Sequence, residues 1–72
     1  MAREVPITGT MIRLGQLLKH AAIVDSGSEV KSLLATGEVL VNQTVETRRG
    51  RQLHNGDVVR VGEDELRITV AS

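Results

Sequence analysis

Residues 26–51 read SGSEVKSLLATGEVLVNQTVETRRGR and contain, in direct succession, the patterns of a helix, a strand, a tight turn and a basic loop. Ser26 and Glu29 have the S-x-x-E spacing of a capping box, in which each side chain bonds a free backbone N–H of the other residue. One apolar helix face follows at the spacing i, i+3, i+4: Val30, Leu33 and Leu34. Gly37 stands where a helix needs a left-handed residue to end. We therefore expect a capped helix between Ser26 and Gly37.

A strand and a hairpin turn follow this helix without a linker. Glu38–Val41 is predicted to be a strand because its residues are almost all apolar. Asn42 tolerates positive φ, which suits a tight turn, whereas Gln43 is a less common turn residue than Gly. Thr44–Thr47 is the expected return strand. Arg48–Arg51 places three arginines within four residues, and we expect it to be a flexible basic loop.

The N-terminal segment predicts a strand and a second helix. Arg3–Thr8 is predicted to be an edge strand, because Pro6 has no N–H to donate to a neighbouring strand. Thr10 is the expected cap of the helix that follows. The apolar face of that helix has the spacing i, i+3, i+4, i+7, i+8: Leu14, Leu17, Leu18, Ala21 and Ala22. Gly15 within it is expected to allow close packing against the other helix.

The C-terminal segment predicts two further strands, each preceded by a turn. Asn55–Asp57 is a strong turn signal before the strand Val58–Val61. A second turn leads into an alternating apolar pattern at residues 66–70, which is typical of a half-buried strand. We expect the last two strands to form one antiparallel sheet with the first strand. The fold class is α+β, with two helices on one face of a small, mainly antiparallel sheet.

Length and composition limit the function classes. The 72 residues are expected to form one domain spanning residues 1–72. No apolar run approaches the roughly 20 residues of a membrane helix, and no signal-peptide core follows the N-terminus. Without cysteine there is no disulfide or thiolate metal site. We therefore expect a soluble cytoplasmic protein with no membrane partner.

The charges are balanced in total but unevenly distributed along the chain. Nine basic and nine acidic residues cancel. Residues 46–51 contain three arginines and one glutamate, which gives +2, whereas residues 57–67 contain four acids and two arginines, which gives −2. This polarity favours oriented docking on a polyanion. Because the chain has no aromatic residue, base stacking of the kind used by many single-strand binders is disfavoured.

No pattern of catalytic or metal-binding residues is evident. His20 and His54 lie far apart in sequence, without cysteines or clustered carboxylates at ligand spacing, so we predict no metal site. Ser26–Ser28 lacks the strand-turn-helix context of a nucleophile elbow. We therefore predict a protein that is not an enzyme and has no cofactor.

The order of these motifs resembles the S-four RNA-binding domain, or alpha-L motif, named for the fourth small-subunit ribosomal protein. The similarity covers about residues 12–61 and is greatest to the small stand-alone bacterial subfamily. The residues that carry it are Arg13-Leu14, Leu17-Leu18, Ser26, Ser28-Glu29-Val30-Lys31, Leu34, Gly37-Glu38-Val39, Val41-Asn42 and Gly56-Asp57-Val58-Val59. Gly27 and Gln43 depart from the common family pattern, which has Arg and Gly at these positions.

The resemblance implies RNA binding. We expect structured RNA, in particular ribosomal RNA, to bind through the second helix and the Arg48–Arg51 loop, and the short, interrupted apolar surfaces predict a monomer. Lys31 also lies near a helix N-terminus, where free amides favour an anion. The candidate RNA-binding residues are Lys19, Ser26, Ser28, Lys31, Asn42, Arg48, Arg49 and Arg51. The alternative is a protein-interaction module in which the Val39–Val41 strand edge pairs with a partner's sheet.

Overall fold

The computed structural model describes residues 2–70 of the chain. Met1, Ala71 and Ser72, which the one-domain prediction includes, lie outside the described residues. The described part forms seven strands and two helices: β1 (Ala2–Ile7), β2 (Ile12–Arg13), α1 (Leu14–His20), α2 (Gly27–Ala35), β3 (Val39–Val41), β4 (Thr44–Val45), β5 (Gln52–Leu53), β6 (Val58–Val61) and β7 (Asp64–Val70). The predicted α+β class is confirmed.

Five strands form the main sheet, in the order β1-β7-β6-β3-β4. The neighbours β7-β6, β6-β3 and β3-β4 are antiparallel. β1 pairs with β7 in parallel, so the antiparallel pairing expected for the first strand is wrong. Along the sequence, both helices and most of the sheet lie between β1 and β7, so no hairpin forces these two strands to be antiparallel. The edge position expected from Pro6 is confirmed.

A second, two-stranded sheet was not predicted. β2 pairs antiparallel with β5, with Ile12 opposite Leu53 and Arg13 opposite Gln52. Each strand is two residues long, which is too short to leave an alternating pattern in the sequence. This small sheet joins the chain just before α1 to the chain just after Arg48–Arg51, which we call the arginine loop.

The first helix is shorter than its apolar pattern predicts. It begins after Arg13, whose N–H donates to Gln16 Oε1 at 3.2 Å, so Thr10 is not the cap. It ends before Ala22, which is exposed and has φ +60°. This left-handed residue turns the chain so that the N–H groups of the next two residues donate to the Leu18 carbonyl. Ala22 therefore does not belong to the apolar face of the helix.

The second helix begins and ends close to where the sequence predicts. Ser26 Oγ accepts a hydrogen bond from the Glu29 N–H at 3.3 Å, which confirms the N-cap. Thr36 donates its hydroxyl to the Leu33 carbonyl at 2.6 Å at the other end. Gly37 has φ +77°, the left-handed conformation expected of it.

The predicted turn between β3 and β4 is confirmed. Asn42 and Gln43 have φ +50° and +73°, as a tight two-residue hairpin turn between twisted strands requires. β4 ends at Val45, two residues before the predicted end. The next residue, Glu46, binds the arginine loop through its side chain. Its N–H still donates to the Val39 carbonyl at 2.9 Å.

Both helices cover the same face of the main sheet. The apolar side chains of this layer form one core, which includes Leu14, Leu17, Leu18, Val30 and Leu34 from the helices and Val39, Val41, Val59, Leu66 and Ile68 from the sheet. Arg67 alternates with Leu66 and Ile68 and is exposed on the opposite face of the sheet. The N-terminal ends of the two helices and the loop between β4 and β5 therefore lie together at one side of the core.

Candidate nucleic-acid interface

A groove of about 390 Å³ lies between the two helices and the arginine loop. Its lining residues are Arg13, Gly15, Gln16, Lys19, Gly27, Val30, Arg49 and Gly50. Three of these residues are cationic and none is acidic. The start of α2 also borders the groove at Gly27, so the unpaired amides of that helix end add to its positive potential.

Arg49 connects this groove to a second basic one. Arg49 and Lys31 line an adjacent groove of about 510 Å³, which again has no acidic lining residue. The two grooves share Arg49 and together form a continuous band of positive charge. We call the band formed by Arg13, Lys19, Lys31 and Arg49 the basic surface.

The arginine loop is held firmly against α1. The Arg49 carbonyl accepts from the Gly15 N–H at 2.9 Å, and the Arg51 carbonyl accepts from the Leu14 N–H at 2.8 Å. These amides belong to the first turn of α1, where they have no partner within the helix. The loop therefore replaces a conventional helix cap, and the expectation of a flexible loop is wrong.

Gly15 allows the loop to lie this close to the helix. A Cβ at this position would be 3.3 Å from the Cβ of Arg49 and 3.4 Å from Cγ1 of Val30. The predicted close approach to the second helix is confirmed at Val30. No pattern in the sequence predicts the equally close approach of the arginine loop.

Glu46 binds both ends of the arginine loop through one carboxylate. The residue is 7% exposed. Its Oε1 accepts from Arg51 Nη1 at 2.9 Å and from Arg48 Nη2 at 3.2 Å. Its Oε2 accepts from Arg48 Nε and from the N–H groups of Thr47 and Arg48, each at 3.1 Å. These bonds, those from the Arg48 side chain above all, lower the pKa of Glu46 from 4.5 to about 2, and Glu46 in turn raises the pKa of Arg48.

This ion-pair cluster distributes the charge of +2 on residues 46–51 unevenly. Arg48 and Arg51 share one carboxylate, so the two arginines and Glu46 together carry +1. The side chains of Arg48 and Arg51 are 75% and 35% exposed, respectively, which leaves their outward N–H groups accessible. Arg49 is the loop cation whose charge contributes fully to the basic surface.

The sequence of the chain matches a known family and a curated protein. The family model described as S4 domain, the S-four domain named above, matches residues 5–69. The chain belongs to the S4 domain family. It is similar to a curated protein of Bacillus subtilis (strain 168) named "Probable ribosome maturation protein RlbA". The two are 48% identical over 61 residues, which is 85% of this chain and 86% of the relative.

In three candidate residues of this S4 domain, the polar side-chain atoms form hydrogen bonds within the protein. Ser26 is the N-cap of α2, and the Ser28 hydroxyl lies 3.3 Å from the Ser26 hydroxyl. Asn42 accepts from the Val58 N–H at 3.0 Å and donates to Asp57 Oδ1 at 3.1 Å. Asn42 lines a groove on the sheet, away from the two basic grooves. Their role as RNA ligands stays a prediction.

Sequence reasoning missed two residues of the S4 domain's basic groove, Arg13 and Gln16. Arg13 was recognised as part of the family motif but not as a ligand, since it precedes the predicted apolar face. A cation immediately before the first turn of α1 was the signal that could have identified it. Glu46 was counted only as a charge, although an acid close in sequence to two arginines is the pattern of a local ion-pair cluster.

Within residues 2–70, neither helix has the length and apolar composition needed to cross a membrane. The same residues contain no group of three or more His, Cys, Asp or Glu side chains arranged to hold a metal ion.

Proposed function

We propose that this chain is a non-catalytic, monomeric cytoplasmic protein that binds structured RNA, in particular ribosomal RNA, through its basic surface. The observation that carries the proposal is the band of four cations, drawn from the end of β2, both helices and the arginine loop, with no acidic residue among its lining residues. Cations arranged over a continuous surface suit the regular phosphates of a folded polyanion.

The chemistry of the basic surface favours recognition of shape and phosphates over base reading. The chain offers no aromatic ring on which a base could stack. Structured RNA is bound largely through phosphate and 2′-hydroxyl contacts, which arginine, lysine, Gln16 and the free amides of a helix end can supply. We therefore expect a preference for folded RNA over an unstructured strand of equal length.

The printed name of the Bacillus subtilis relative supports a ribosomal target. Ribosome maturation requires proteins that bind ribosomal RNA or its particles. At 48% identity over most of both chains, the same target is the natural proposal for this protein.

The alternative of sheet-edge pairing through Val39–Val41 is wrong. β3 lies inside the sheet, with β4 on one side and β6 on the other. Its backbone is already paired with both neighbours, so no partner strand can add to it. The edges of the main sheet are β1 and β4.

Co-purification tests the proposed function. Tagged protein from cells should bring down ribosomal particles, and nuclease treatment should release them. Arg49→Gln should reduce the recovery, whereas Arg67→Gln, on the opposite face of the sheet, should not. Nuclease-resistant recovery of one protein, unchanged by Arg49→Gln, would contradict the proposal. If ribosomal particles are recovered as expected, crosslinking and sequencing of the bound RNA would locate the binding site on the RNA.

A further inference from the structure

Glu46 is an acidic residue directly beside a surface that we propose binds RNA. We propose that Glu46 is a positioning residue for RNA binding, which holds the two ends of the arginine loop so that Arg49 is fixed within the basic surface. This inference rests on the proposed function, because it concerns how the same surface is organised.

The geometry places the Glu46 carboxylate between the first and the last arginine of the loop. It bonds the guanidinium groups of Arg48 and Arg51 and the backbone N–H of Arg48. Arg49 lies between these two anchored residues. Holding both ends restricts the positions that the Arg49 backbone can adopt.

The loop backbone transmits this restriction to α1. The carbonyls of Arg49 and Arg51 accept from the first-turn amides of the helix, Gly15 and Leu14. The Cβ of Arg49 would lie within 3.3 Å of any Cβ placed at Gly15, so the residue sits directly on the helix surface. The backbone of Arg49 is thus placed beside the groove that Lys19 and Arg13 also line before any ligand arrives.

An acid in this place has an electrostatic disadvantage. Its negative charge cancels one arginine in a surface that would meet phosphates, and a simple Coulomb argument predicts that removing it strengthens RNA binding. Preorganisation works in the opposite direction, because a loop whose backbone is already held in its binding geometry loses less conformational entropy on association. The two effects therefore predict opposite signs for the same substitution.

The test compares Glu46→Gln, Glu46→Asp and Glu38→Gln with the wild type, by titration with a folded ribosomal RNA fragment. Glu38 is exposed and serves as the control for loss of one negative charge. We expect Glu46→Gln to weaken binding roughly threefold to tenfold and to reduce the magnitude of the log–log salt slope by about 0.8, as for one lost phosphate contact. Glu38→Gln should bind as the wild type or slightly more tightly.

Glu46→Asp tests whether the length of the side chain matters in addition to its negative charge. It keeps the negative charge but is one methylene shorter, so it cannot hold both arginines in the same geometry. We expect it to weaken binding also, whereas a role through charge alone predicts wild-type affinity. This variant also keeps the proposal testable if Glu46→Gln does not fold.

Two further measurements distinguish a positioning role of Glu46 in RNA binding from a general effect on protein stability. Ile68→Val perturbs the buried core without touching the loop, and its folded form should keep wild-type affinity. Amide hydrogen exchange at Leu14 and Gly15 should accelerate in Glu46→Gln, because the loop carbonyls move away. Tighter RNA binding by Glu46→Gln, or wild-type affinity for Glu46→Asp, would overturn the inference and leave the proposed function intact. Absence of RNA binding by the wild type would overturn both.

Discussion

Two polar side chains, Ser26 and Glu46, organise the backbone beside the basic surface. Ser26 satisfies the Glu29 N–H at the start of α2. Glu46 satisfies the N–H groups of Thr47 and Arg48 and the guanidinium groups of both end arginines of the loop. Each acts by giving a partner to donors that would otherwise be unpaired. Substitutions at these residues should therefore have effects larger than surface changes usually have.

Ser26→Ala should destabilise the protein because it removes the N-cap of α2. We expect a loss of about 1 kcal/mol and a fall in Tm of several degrees for a domain of this size. Thermal unfolding followed by circular dichroism measures the change. Ser32→Ala, at an exposed position within the same helix, is the control and should be neutral or slightly stabilising. Equal Tm values for wild type and Ser26→Ala would show that the cap bond contributes nothing.

Glu46 should make stability depend on pH under acid conditions. Its pKa in the folded state, about 2, lies below its ordinary value of 4.5, so ionised Glu46 stabilises the fold above about pH 4.5. This contribution is lost as the pH falls from 4.5 towards 2, and we expect it to be roughly 1–3 kcal/mol after allowance for solvent screening. Urea unfolding between pH 2 and pH 7 should show a shallower acid dependence for Glu46→Gln. Parallel curves for the two proteins would contradict this account.

At the scale of elements, the arginine loop acts as the cap of α1 and packs between the two helices. Gly15 is the point of contact among these three elements. A helix-interior glycine ordinarily lowers stability by about 1 kcal/mol relative to alanine. At Gly15 the higher helix propensity of alanine is opposed by the close approach of Arg49 and Val30, which leaves little room for a Cβ.

Gly15→Ala should therefore raise stability by much less than about 1 kcal/mol, since the gain in helix propensity is offset by the tight contacts. Gly27→Ala is the matched control, because a Cβ there has nothing within 4 Å. Chemical denaturation of both variants measures the difference. A full stabilisation by Gly15→Ala would indicate that the loop moves away freely.

The sequence predicted the elements whose signals are local. The Ser26 cap, the left-handed Gly37, the turn at Asn42 and the edge position of Pro6 each depend on residues close together in the chain. The parallel pairing of β1 with β7 depends instead on contacts between the two ends of the chain, and periodicity carries no information on strand direction. The cluster around Glu46 and the packing of Arg49 on Gly15 likewise depend on how separate segments meet. The sequence therefore predicted Lys19, Lys31 and Arg49 as members of the candidate site, but neither Arg13 nor the geometry.

At the scale of the whole molecule, the cations of the basic surface are gathered on the helical side of the main sheet. Arg67 and Glu65 flank the buried Leu66 in β7 and lie on the opposite face, where positive and negative charges are mixed. One face is thus suited to a polyanion although the net charge is zero. Orientation on RNA would follow from this asymmetry.

The protein should be a monomer in solution. Val45 is the exposed large hydrophobic residue within residues 2–70, which offers little apolar area for a stable interface. Sedimentation at micromolar concentration should give a single species of 7.8 kDa. A stable dimer under these conditions would require an interface that these residues do not suggest.

Titration of a folded ribosomal RNA fragment at several salt concentrations tests the basic surface most directly. Five contacts through Lys19, Lys31, Arg48, Arg49 and Arg51 would give a log–log slope of roughly −3.5 to −4.5. Because Arg48 and Arg51 are ion-paired with Glu46, we expect about four phosphate contacts, those of the basic surface, and a slope of roughly −2.8 to −3.6. Arg49→Gln should weaken binding and reduce the magnitude of the slope by about 0.7–0.9. Arg67→Gln, the matched loss of one arginine on the opposite face, should leave both unchanged. Equal affinities and slopes for all three proteins, with unchanged circular dichroism, would contradict the proposed RNA-binding surface.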